Sequence, residues 1–394
     1  MPTLHERIQD EVDKRKDTLL ALSHEIHANP ELRFEEHKAA ELLTSTLESE
    51  GFEVQRGVGT LPTAFKARAS APSEGPTVAM LCEYDALEGL GHACGHNVIA
   101  TMGLGAGLAL KPLLDELGGN LIVLGTPGEE GGGGKVILLE EGAFGDVDAA
   151  LMIHPLNENI KASPALARVA WEVRYEGKPA HAAAAPHLGV NALDAVRLAF
   201  NAMDALRQQV TPDTRMHAVI SHGGDVANVI PHRAALRIYI RAATREYLYD
   251  SLLPRMTGVF EGAALMTGSQ VEIEEIAKPY ENMVMNMTLA NAFEAHAKRL
   301  GRTFAPFKVR GASGSSDIGN VSHRLPCLHG YLAIDDSAKP HTAEFAEAAR
   351  SPLGDRAVLE GATILASVGA DLLTQPELLG RAKAELTQVA ARAD

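Results

Sequence analysis

Residues able to bind a metal ion are grouped in the segment LGHACGHN, residues 90–97. His92, Cys94 and His96 occupy alternate positions there, and the chain has only three cysteines. Thiolate and imidazole groups are ligands that zinc-like ions prefer. A buried polar cluster is the alternative interpretation, because imidazoles in protein cores also form ordinary hydrogen bonds. The other residues that could bind a metal distinguish between a metal site and a buried polar cluster.

Further candidate ligands lie where apolar stretches give way to loops. Glu129 and Glu130 follow the stretch NLIVLG, His154 comes near the end of VDAALMIHP, and His341 lies far downstream in KPHTAEF. The carboxyl ends of parallel strands meet at one edge of a sheet, where ligands bind. Carboxylate, imidazole and thiolate groups together suit a zinc-like divalent ion. The spacing therefore favours a metal site.

The elements that must position these residues alternate between strands and helices. PTVAML, residues 76–81, predicts a buried strand, and residues 97–117 have helical length and composition, with Asn97 as a plausible N-cap. Such alternation is typical of the α/β class with a mainly parallel sheet flanked by helices. We expect this sheet and its helices to form one domain, which contains the candidate metal ligands.

The pattern changes near residue 166, where ARVAWEVRYEG alternates apolar and polar residues as a half-exposed antiparallel strand does. The order that follows is helix, two strands, helix and strand, which is typical of a ferredoxin-like α+β domain. We therefore expect an inserted domain at 166–280. The α/β domain would then consist of a first part, 1–165, and a second part, 281–394.

Composition excludes several classes of partner. The formal net charge of −15 over 394 residues argues against nucleic acid and anionic membranes, which need basic surfaces. No stretch reaches the roughly 20 apolar residues of a membrane span. The charged N-terminal segment lacks the apolar core of a signal peptide, and three cysteines cannot form a disulfide framework. A cytoplasmic protein without a nucleic-acid or membrane partner is expected.

Five groups of segments occur in the order found in a known enzyme family. They are HACGHN, TPGEEGGGGKVILLEEGAFGDVDAALMIHP, GKPAHAAAAPHLGVNALDA, ANVIPHRAALRIYIRA, and GSSDIGNVS with PHTAEF. They resemble the signature segments of the dinuclear metallopeptidases that include the aminoacylases, hippurate hydrolases, carboxypeptidase G and p-aminobenzoyl-glutamate hydrolase. CEYDALEGLGHACGHN and GSSDIGNVS look most like the branch of p-aminobenzoyl-glutamate hydrolases and Xaa-Arg dipeptidases. The resemblance covers nearly the whole chain.

The resemblance implies a site for two divalent ions in each subunit. Cys94 would bridge both ions as a thiolate, and each ion would have two further protein ligands. These are His96 and His154 for one ion, and Glu130 and His341 for the other. Zinc is the first expectation, with manganese, cobalt or nickel as alternatives, because affinity order does not determine which metal is loaded in a cell.

Residues near these ligands in the sequence have other expected roles. By the resemblance, Glu129 is the general base that takes a proton from the attacking water and gives it to the leaving amine. His92 lies outside the implied ligand set, and packing is its expected role. Asp85 either orients a ligand histidine or only forms a turn.

The resemblance also assigns roles to residues of the inserted domain. His181 would stabilise the oxyanion of the tetrahedral intermediate in the active site of a partner subunit. Asn228 would bind substrate near that oxyanion, and Arg241 would hold the free carboxylate of the substrate. By the resemblance, the α/β domain (1–165 and 281–394) would be the catalytic domain and the inserted domain would serve as lid and dimerisation domain, and a homodimer is expected.

Together these features predict a metal-dependent amidohydrolase or dipeptidase. Its small-molecule substrate would be an amide or dipeptide in which an acyl, aminoacyl or aminobenzoyl group is joined to an amino acid with a free carboxylate. Hydrolytic deamination of an aromatic amine on the same scaffold is the alternative. A hydrolase with Cys94 as nucleophile and a non-catalytic binding protein are weaker alternatives.

Overall fold

The computed structural model describes residues 2–307 and 314–393, with the backbone alone for 389–393. The strands are β1 (Glu53–Val58), β2 (Leu61–Ser70), β3 (Thr77–Cys82), β4 (Asn120–Gly125), β5 (Ala149–Leu156), β6 (Ala167–Glu176), β7 (Arg215–His222), β8 (Arg233–Ala242), β9 (Gln270–Tyr280) and β10 (Cys327–Ala333). The α-helices are α1 (Leu4–Lys14), α2 (Lys16–Ala28), α3 (His37–Ser49), α4 (His96–Leu110), α5 (Leu114–Leu117), α6 (Gly134–Glu140), α7 (Ala192–Leu206), α8 (Arg245–Tyr247), α9 (Leu253–Thr267), α10 (Met287–Arg299), α11 (Ile318–Ser322), α12 (Ala343–Ala348), α13 (Pro352–Thr374) and α14 (Pro376–Ala393).

These elements form two compact units. The large unit comprises the described residues of 1–164, 283–310 and 317–394, and the small unit those of 165–282 and 311–316. Each unit has its own sheet and its own buried core. The small unit is therefore an insertion in the chain of the large unit, and a short second segment at 314–316 is added to it.

The sheet of the large unit is mostly parallel. Its strand order over the described residues is β1-β2-β4-β3-β5-β10, and β4, β3, β5 and β10 run parallel to one another. The strands β1 and β2 add an antiparallel edge. Every residue of β3 is buried, as expected for a central parallel strand covered on both faces. The predicted α/β class is confirmed.

Helix α4 packs on this sheet and against α13. It begins at His96, and Gly95 is its N-cap in the left-handed conformation with φ 78°. The expectation that Asn97 caps the helix is wrong, because Asn97 lies in its buried first turn. The Asn97 amide instead donates to the Oγ of Ser23 at 3.0 Å and to the carbonyl of Ala349 at 3.1 Å. Asn97 therefore joins neighbouring elements.

Two helical segments of the described chain are long and apolar enough to cross a membrane, by length and composition alone. They are His96–Leu117 and Pro352–Thr374, so the expectation that no stretch reaches this length is wrong. Their apolar windows are 89% and 78% buried inside the protein. Both segments are core helices of the large unit, where they bury the face of the parallel sheet.

The small unit has the ferredoxin-like element order that the sequence predicts. Its antiparallel sheet has the order β7-β8-β6-β9, with β6-α7-β7-β8-α9-β9 along the chain. Apolar residues on one face of the sheet, among them Val169 and Leu236, pack in one core with residues of α7 and α9 such as Phe260. A π-helical turn, Leu248–Leu252, precedes α9, whose N-terminus contains Pro254. Pro254 therefore lies in the first turn of α9, directly after the irregular turn.

Candidate metal centre

The candidate ligands meet at the carboxyl edge of the parallel sheet in the large unit. Strands β4, β3 and β5 are neighbours in that sheet, so the loops that follow β3 and β4 lie beside the end of β5. Three groups of ligand atoms are found there, and within each group the atoms lie no more than 4.8 Å apart. The groups are Cys94 with His96 and His154, Cys94 with Glu130 and His341, and His96 with Glu129 and Glu130.

The first group brings a sulfur atom beside two imidazoles. The Sγ of Cys94 lies 3.5 Å from the Nε2 of His154. The Nδ1 of His154 is 2.6 Å from the carbonyl oxygen of Pro155, so the ring donates its proton there. The lone pair of Nε2 then faces Cys94. Burial lowers the pKa of His154 to about 4, which keeps this imidazole neutral and able to bind a metal.

His96 is held in the same way by a carboxylate. Its Nδ1 lies 3.0 Å from the Oδ1 of Asp85, and its Nε2 is buried without a hydrogen-bond partner among the described residues. The other oxygen of Asp85 accepts the backbone N–H of Glu130 at 2.9 Å. Asp85 therefore orients one candidate ligand and the backbone of another. A carboxylate behind a histidine is the usual arrangement at metal sites.

The second group joins residues from distant parts of the chain. The Oε1 of Glu130 and the Nε2 of His341 are 3.3 Å apart. His341 has φ 66°, which is unusual for a residue with a Cβ, and its N–H donates to the carbonyl of Ala93 at 2.8 Å. This backbone contact brings His341 beside the loop that contains Cys94.

The donors present fit a pair of divalent ions. The two groups that share Cys94 offer sulfur, imidazole nitrogen and carboxylate oxygen, which is a zinc-like set. The buried Nε2 of His96 and Oε1 of Glu130 form no hydrogen bond of normal geometry in the described protein, and Glu83 and His341 lie 3.4 and 3.3 Å from them. Burial raises the pKa of the Cys94 thiol, and a bound cation is what would favour the thiolate there.

Glu129 differs from its neighbour in electrostatic environment. Burial raises its pKa well above the ordinary value, and the charges of Glu83, Glu130 and Asp317 add to this effect. A carboxyl group with a raised pKa is suited to accept and return a proton near neutral pH.

The turn that contains Glu129 and Glu130 is held by side chains that the sequence interpretation missed. Glu36 accepts the N–H of Gly128 at 2.8 Å, and the Nη1 of Arg33 donates to the carbonyl of Glu130 at 2.9 Å. Gly134 is required because a Cβ there would lie 1.7 Å from the carbonyl oxygen of Pro127. Arg33 and Glu36 lie in a charged segment near the N-terminus, which resembles an ordinary solvated loop in the sequence.

Other histidines near the centre have different surroundings. Among the described residues, none of the three ligand groups includes His92. His92 is buried, and its ring lies 6.0 Å from that of His27. On β10, His329 and Tyr331 approach the ring of His154 at 6.0 and 5.9 Å. The sequence interpretation missed both, because a single apolar strand gives no sign of which side chains face a site.

His181, Asn228 and Arg241 belong to the small unit. The N–H of Ala182 donates to the carbonyl of Asn228 at 3.0 Å, and His181 forms a bridge with Val229, so the first two residues are neighbours. The side chains of both residues are exposed. Arg241 lies on β8, with its guanidinium carbon 5.2 Å from the centre of the Tyr239 ring.

A mostly parallel α/β unit with sulfur, nitrogen and oxygen donors clustered at its carboxyl edge has the features of a metal-binding protein. Residues 72–368 match the family described as Peptidase family M20/M25/M40, and the chain belongs to this family. It is therefore a hydrolase of amide or peptide bonds.

Individual relatives cover almost the whole chain. The Xaa-Arg dipeptidase of Mus musculus is 42% identical, covering 95% of this chain and 90% of that protein. A p-aminobenzoyl-glutamate hydrolase component from Escherichia coli K12 is 31% identical, with 99% and 96% covered. A dinuclear metal-binding M20 peptidase from Bacillus subtilis has a similar fold, with a TM-score of 0.71, 21% identity, and 92% and 99% covered.

Proposed function

We propose that this protein uses two divalent ions to hydrolyse the amide between an acyl, aminoacyl or aminobenzoyl group and an amino acid with a free carboxylate. The observation that carries the proposal is the sharing of Cys94 by two ligand groups. One ion would be held by Cys94, His96 and His154, and the other by Cys94, Glu130 and His341. Zinc is the proposed metal because sulfur and nitrogen predominate among the donors, with manganese, cobalt or nickel as alternatives.

When bound, such a metal pair lowers the pKa of water and polarises a carbonyl group. The residues of the chain supply the remaining steps. Glu129 takes the proton of the attacking water and later gives it to the leaving amine. Asp85 and the Pro155 carbonyl fix His96 and His154 in the tautomers that leave Nε2 free. Glu130 stays ionised beside His341, whose pKa it raises.

His181 is the proposed oxyanion donor. Its Nδ1 accepts the backbone N–H groups of Ala183 and Ala184, both at 3.2 Å. The ring proton of the neutral imidazole must then be on Nε2, which can donate to a developing negative charge. Asn228 is the proposed neighbour that binds substrate near this oxyanion. In the proposed homodimer, which forms through the small unit, His181 acts on the substrate of the partner subunit.

Arg241 is proposed to bind the free carboxylate of the substrate. It is half-buried, and burial together with the charge of Arg168 lowers its pKa. Because the positive charge of Arg168 is nearby, binding of an anion by the Arg241 guanidinium would relieve the repulsion between the two cations. The names of the relatives support dipeptides and aminobenzoyl amino acids as the first substrates to test.

The cytoplasm is the proposed location of the protein.

A cysteine-nucleophile mechanism has little support. Burial raises the pKa of the Cys94 thiol, so the reactive thiolate is disfavoured in the metal-free protein. Cys94 also has ligand atoms of four other residues close by. A sulfur atom in this position is better explained as a metal ligand.

The test combines metal removal with product analysis. The purified protein is stripped with a chelator and reconstituted with zinc, manganese, cobalt or nickel. It is then assayed on N-acyl amino acids, dipeptides and p-aminobenzoyl-glutamate. We expect activity to disappear on stripping and to return with about two ions bound per chain, because the attacking water needs the metal pair for its activation. The released product should be an amino acid.

Three outcomes would contradict this proposal. Release of ammonia from an aromatic amine without amide cleavage would indicate a deaminase. Full activity of the stripped protein would exclude the metal mechanism. Loss of activity with iodoacetamide but not with chelator would indicate a Cys94 nucleophile.

A further inference from the structure

Three ionisable side chains form a buried network behind the candidate metal centre. The Nζ of Lys135 lies 2.5 Å from the Oε1 of Glu83 and 2.8 Å from the Oδ1 of Asp317. The side chains of Lys135 and Asp317 are fully buried, and that of Glu83 is 2% exposed. Ionised groups are rarely buried so deeply without a function or a full set of partners.

The network joins three separate segments around the centre. Glu83 directly follows β3, Lys135 lies in the first turn of α6, and Asp317 is the residue before α11. Lys135 and Asp317 are 182 positions apart in the sequence. Lys135 comes from the glycine-rich segment GGGGK and Asp317 from GSSDIGNVS, so the network explains residues of two motifs that the proposed reaction leaves without a role.

On one side the network reaches His96. Because Lys135 holds the Oε1 of Glu83, the other oxygen is fixed in position, and it lies 3.4 Å from the Nε2 of His96. That nitrogen is the one left free for a metal by the contact of Nδ1 with Asp85. Glu83 therefore places a negative charge beside the metal-binding atom of His96.

On the other side the network holds the turn that contains Glu129 and Glu130. Asp317 accepts two hydrogen bonds from Lys135. Its Oδ1 accepts the side-chain Nζ of Lys135, and its Oδ2 accepts the backbone N–H of Lys135, both at 2.8 Å. This contact fixes the end of the turn, while Asp85 fixes the N–H of Glu130. Displacement of Asp317 would release the backbone directly after the glycines.

Charge balance makes Lys135 the central residue of the network. Two buried carboxylates share its single positive charge, and removal of one partner of a buried ion pair leaves an uncompensated charge. Without the ammonium group, Glu83 and Asp317 would repel each other and Glu129. Their side chains would then move apart.

We propose that Lys135 is a positioning residue for the metal centre. It acts through Glu83 on His96, and through Asp317 on the turn that presents Glu129 and Glu130. The proposal rests on the proposed two-metal function, because it concerns the geometry of the same ligands. It adds three residues, Lys135, Glu83 and Asp317, to those on which metal binding depends.

The experiment is a titration of the metal-free protein with cobalt(II), followed by visible absorption and by calorimetry. For Lys135→Met we expect cobalt binding weakened about 10- to 100-fold for at least one of the two ions, and a shifted absorption band. Asp317→Asn should show the same shift more weakly, and Lys135→Arg should restore part of the affinity. Lys161→Met is the matched control, because Lys161 pairs with Glu294 elsewhere in the large unit.

Wild-type affinity and an unchanged cobalt spectrum in Lys135→Met would overturn the proposal. If that variant does not fold, the double variant Glu83→Gln with Lys135→Met replaces it in the cobalt titration. This double variant removes one negative and one positive charge from the network. A shifted band in the double variant supports the proposal, and a wild-type band overturns it. A wild-type protein that binds no pair of ions would instead refute the proposed function, whatever the variants do.

Discussion

Glu129 and Glu130 are consecutive residues with different surroundings. Burial favours the neutral form of both. At Glu130, His341 and His96 together outweigh burial and lower the pKa, whereas neighbouring carboxylates add to the effect of burial and raise the pKa of Glu129. Two carboxyl groups whose pKa values are driven apart are suited to different tasks. Glu130 can bind a cation as a carboxylate, and Glu129 can carry a proton.

Replacement of Glu129 by Gln separates these tasks. Glu129→Gln keeps the size of the side chain but cannot accept a proton, so we expect kcat to fall about 100- to 10,000-fold with metal content unchanged. Steady-state kinetics and elemental analysis of the same preparation measure both quantities. Glu377→Gln, on the exposed first turn of α14, is the control. A Glu129→Gln variant with near-normal turnover would refute the role of general base.

The turn between β4 and α6 is the element that brings both carboxylates to the centre. Its backbone is fixed at three points by the buried carboxyl groups of Glu36, Asp85 and Asp317. Glu36 also accepts a hydrogen bond from the hydroxyl of Thr63 at 2.8 Å. Burial raises the pKa of Glu36 from its ordinary value of 4.5 to about 7, with the charge of Asp85 adding to the effect.

The raised pKa of Glu36 predicts a pH-dependent stability. Between pH 4.5 and about 7 the folded protein retains a proton that the unfolded chain has released. The contribution of Glu36 to the free energy of unfolding is therefore greatest below that range and falls as the pH rises through it. Glu36→Gln cannot lose a proton, so its stability relative to wild type should increase across this range, by at most about 3 kcal/mol.

Denaturant unfolding at several pH values measures this difference. The Gln oxygen can still accept the Gly128 N–H, so the turn should remain in place. Glu377→Gln again serves as the control, because its carboxyl group lies on an exposed helical turn. Parallel stability curves for wild type and Glu36→Gln between pH 4.5 and about 7 would show that Glu36 does not titrate in this range.

The whole molecule consists of two units, and the residues proposed for the reaction are divided between them. The proposed metal ligands and Glu129 lie in the large unit, and His181, Asn228 and Arg241 lie in the small one. In the proposed dimer, His181 completes the active site of the partner. Each active site would then need intact residues from two chains.

A mixed dimer tests this arrangement. His181→Ala and Glu129→Gln homodimers should both have very low activity. A heterodimer of the two variants, isolated through two different affinity tags, should recover about half of the wild-type kcat, because one of its two sites has both residues. If His181 acts within its own chain, the heterodimer has no complete site and no activity returns. Sedimentation under assay conditions verifies that the dimer persists.

Much of the fold can be predicted from the sequence because strand and helix periodicities are local. An apolar run predicts β3 and an alternating pattern predicts β6, and both strands are present. The N-cap of α4 cannot be predicted in this way. Asn97 has the usual chemistry of a cap, but the left-handed backbone of Gly95 starts the helix two residues earlier.

The sequence by itself determined the donor chemistry and the order of elements. Residue type marked Cys94, His96, Glu130, His154 and His341 as possible donors, but equally His92 and Glu129, because imidazole and carboxylate groups bind metals in any fold. The resemblance to a known family, and not residue type, separated the five from the other two. Only the tertiary structure decided which donors are neighbours and what holds them. The contact of Lys135 with Asp317 spans 182 positions, and no local pattern specifies it. Chain closure over such distances depends on packing of the complete unit.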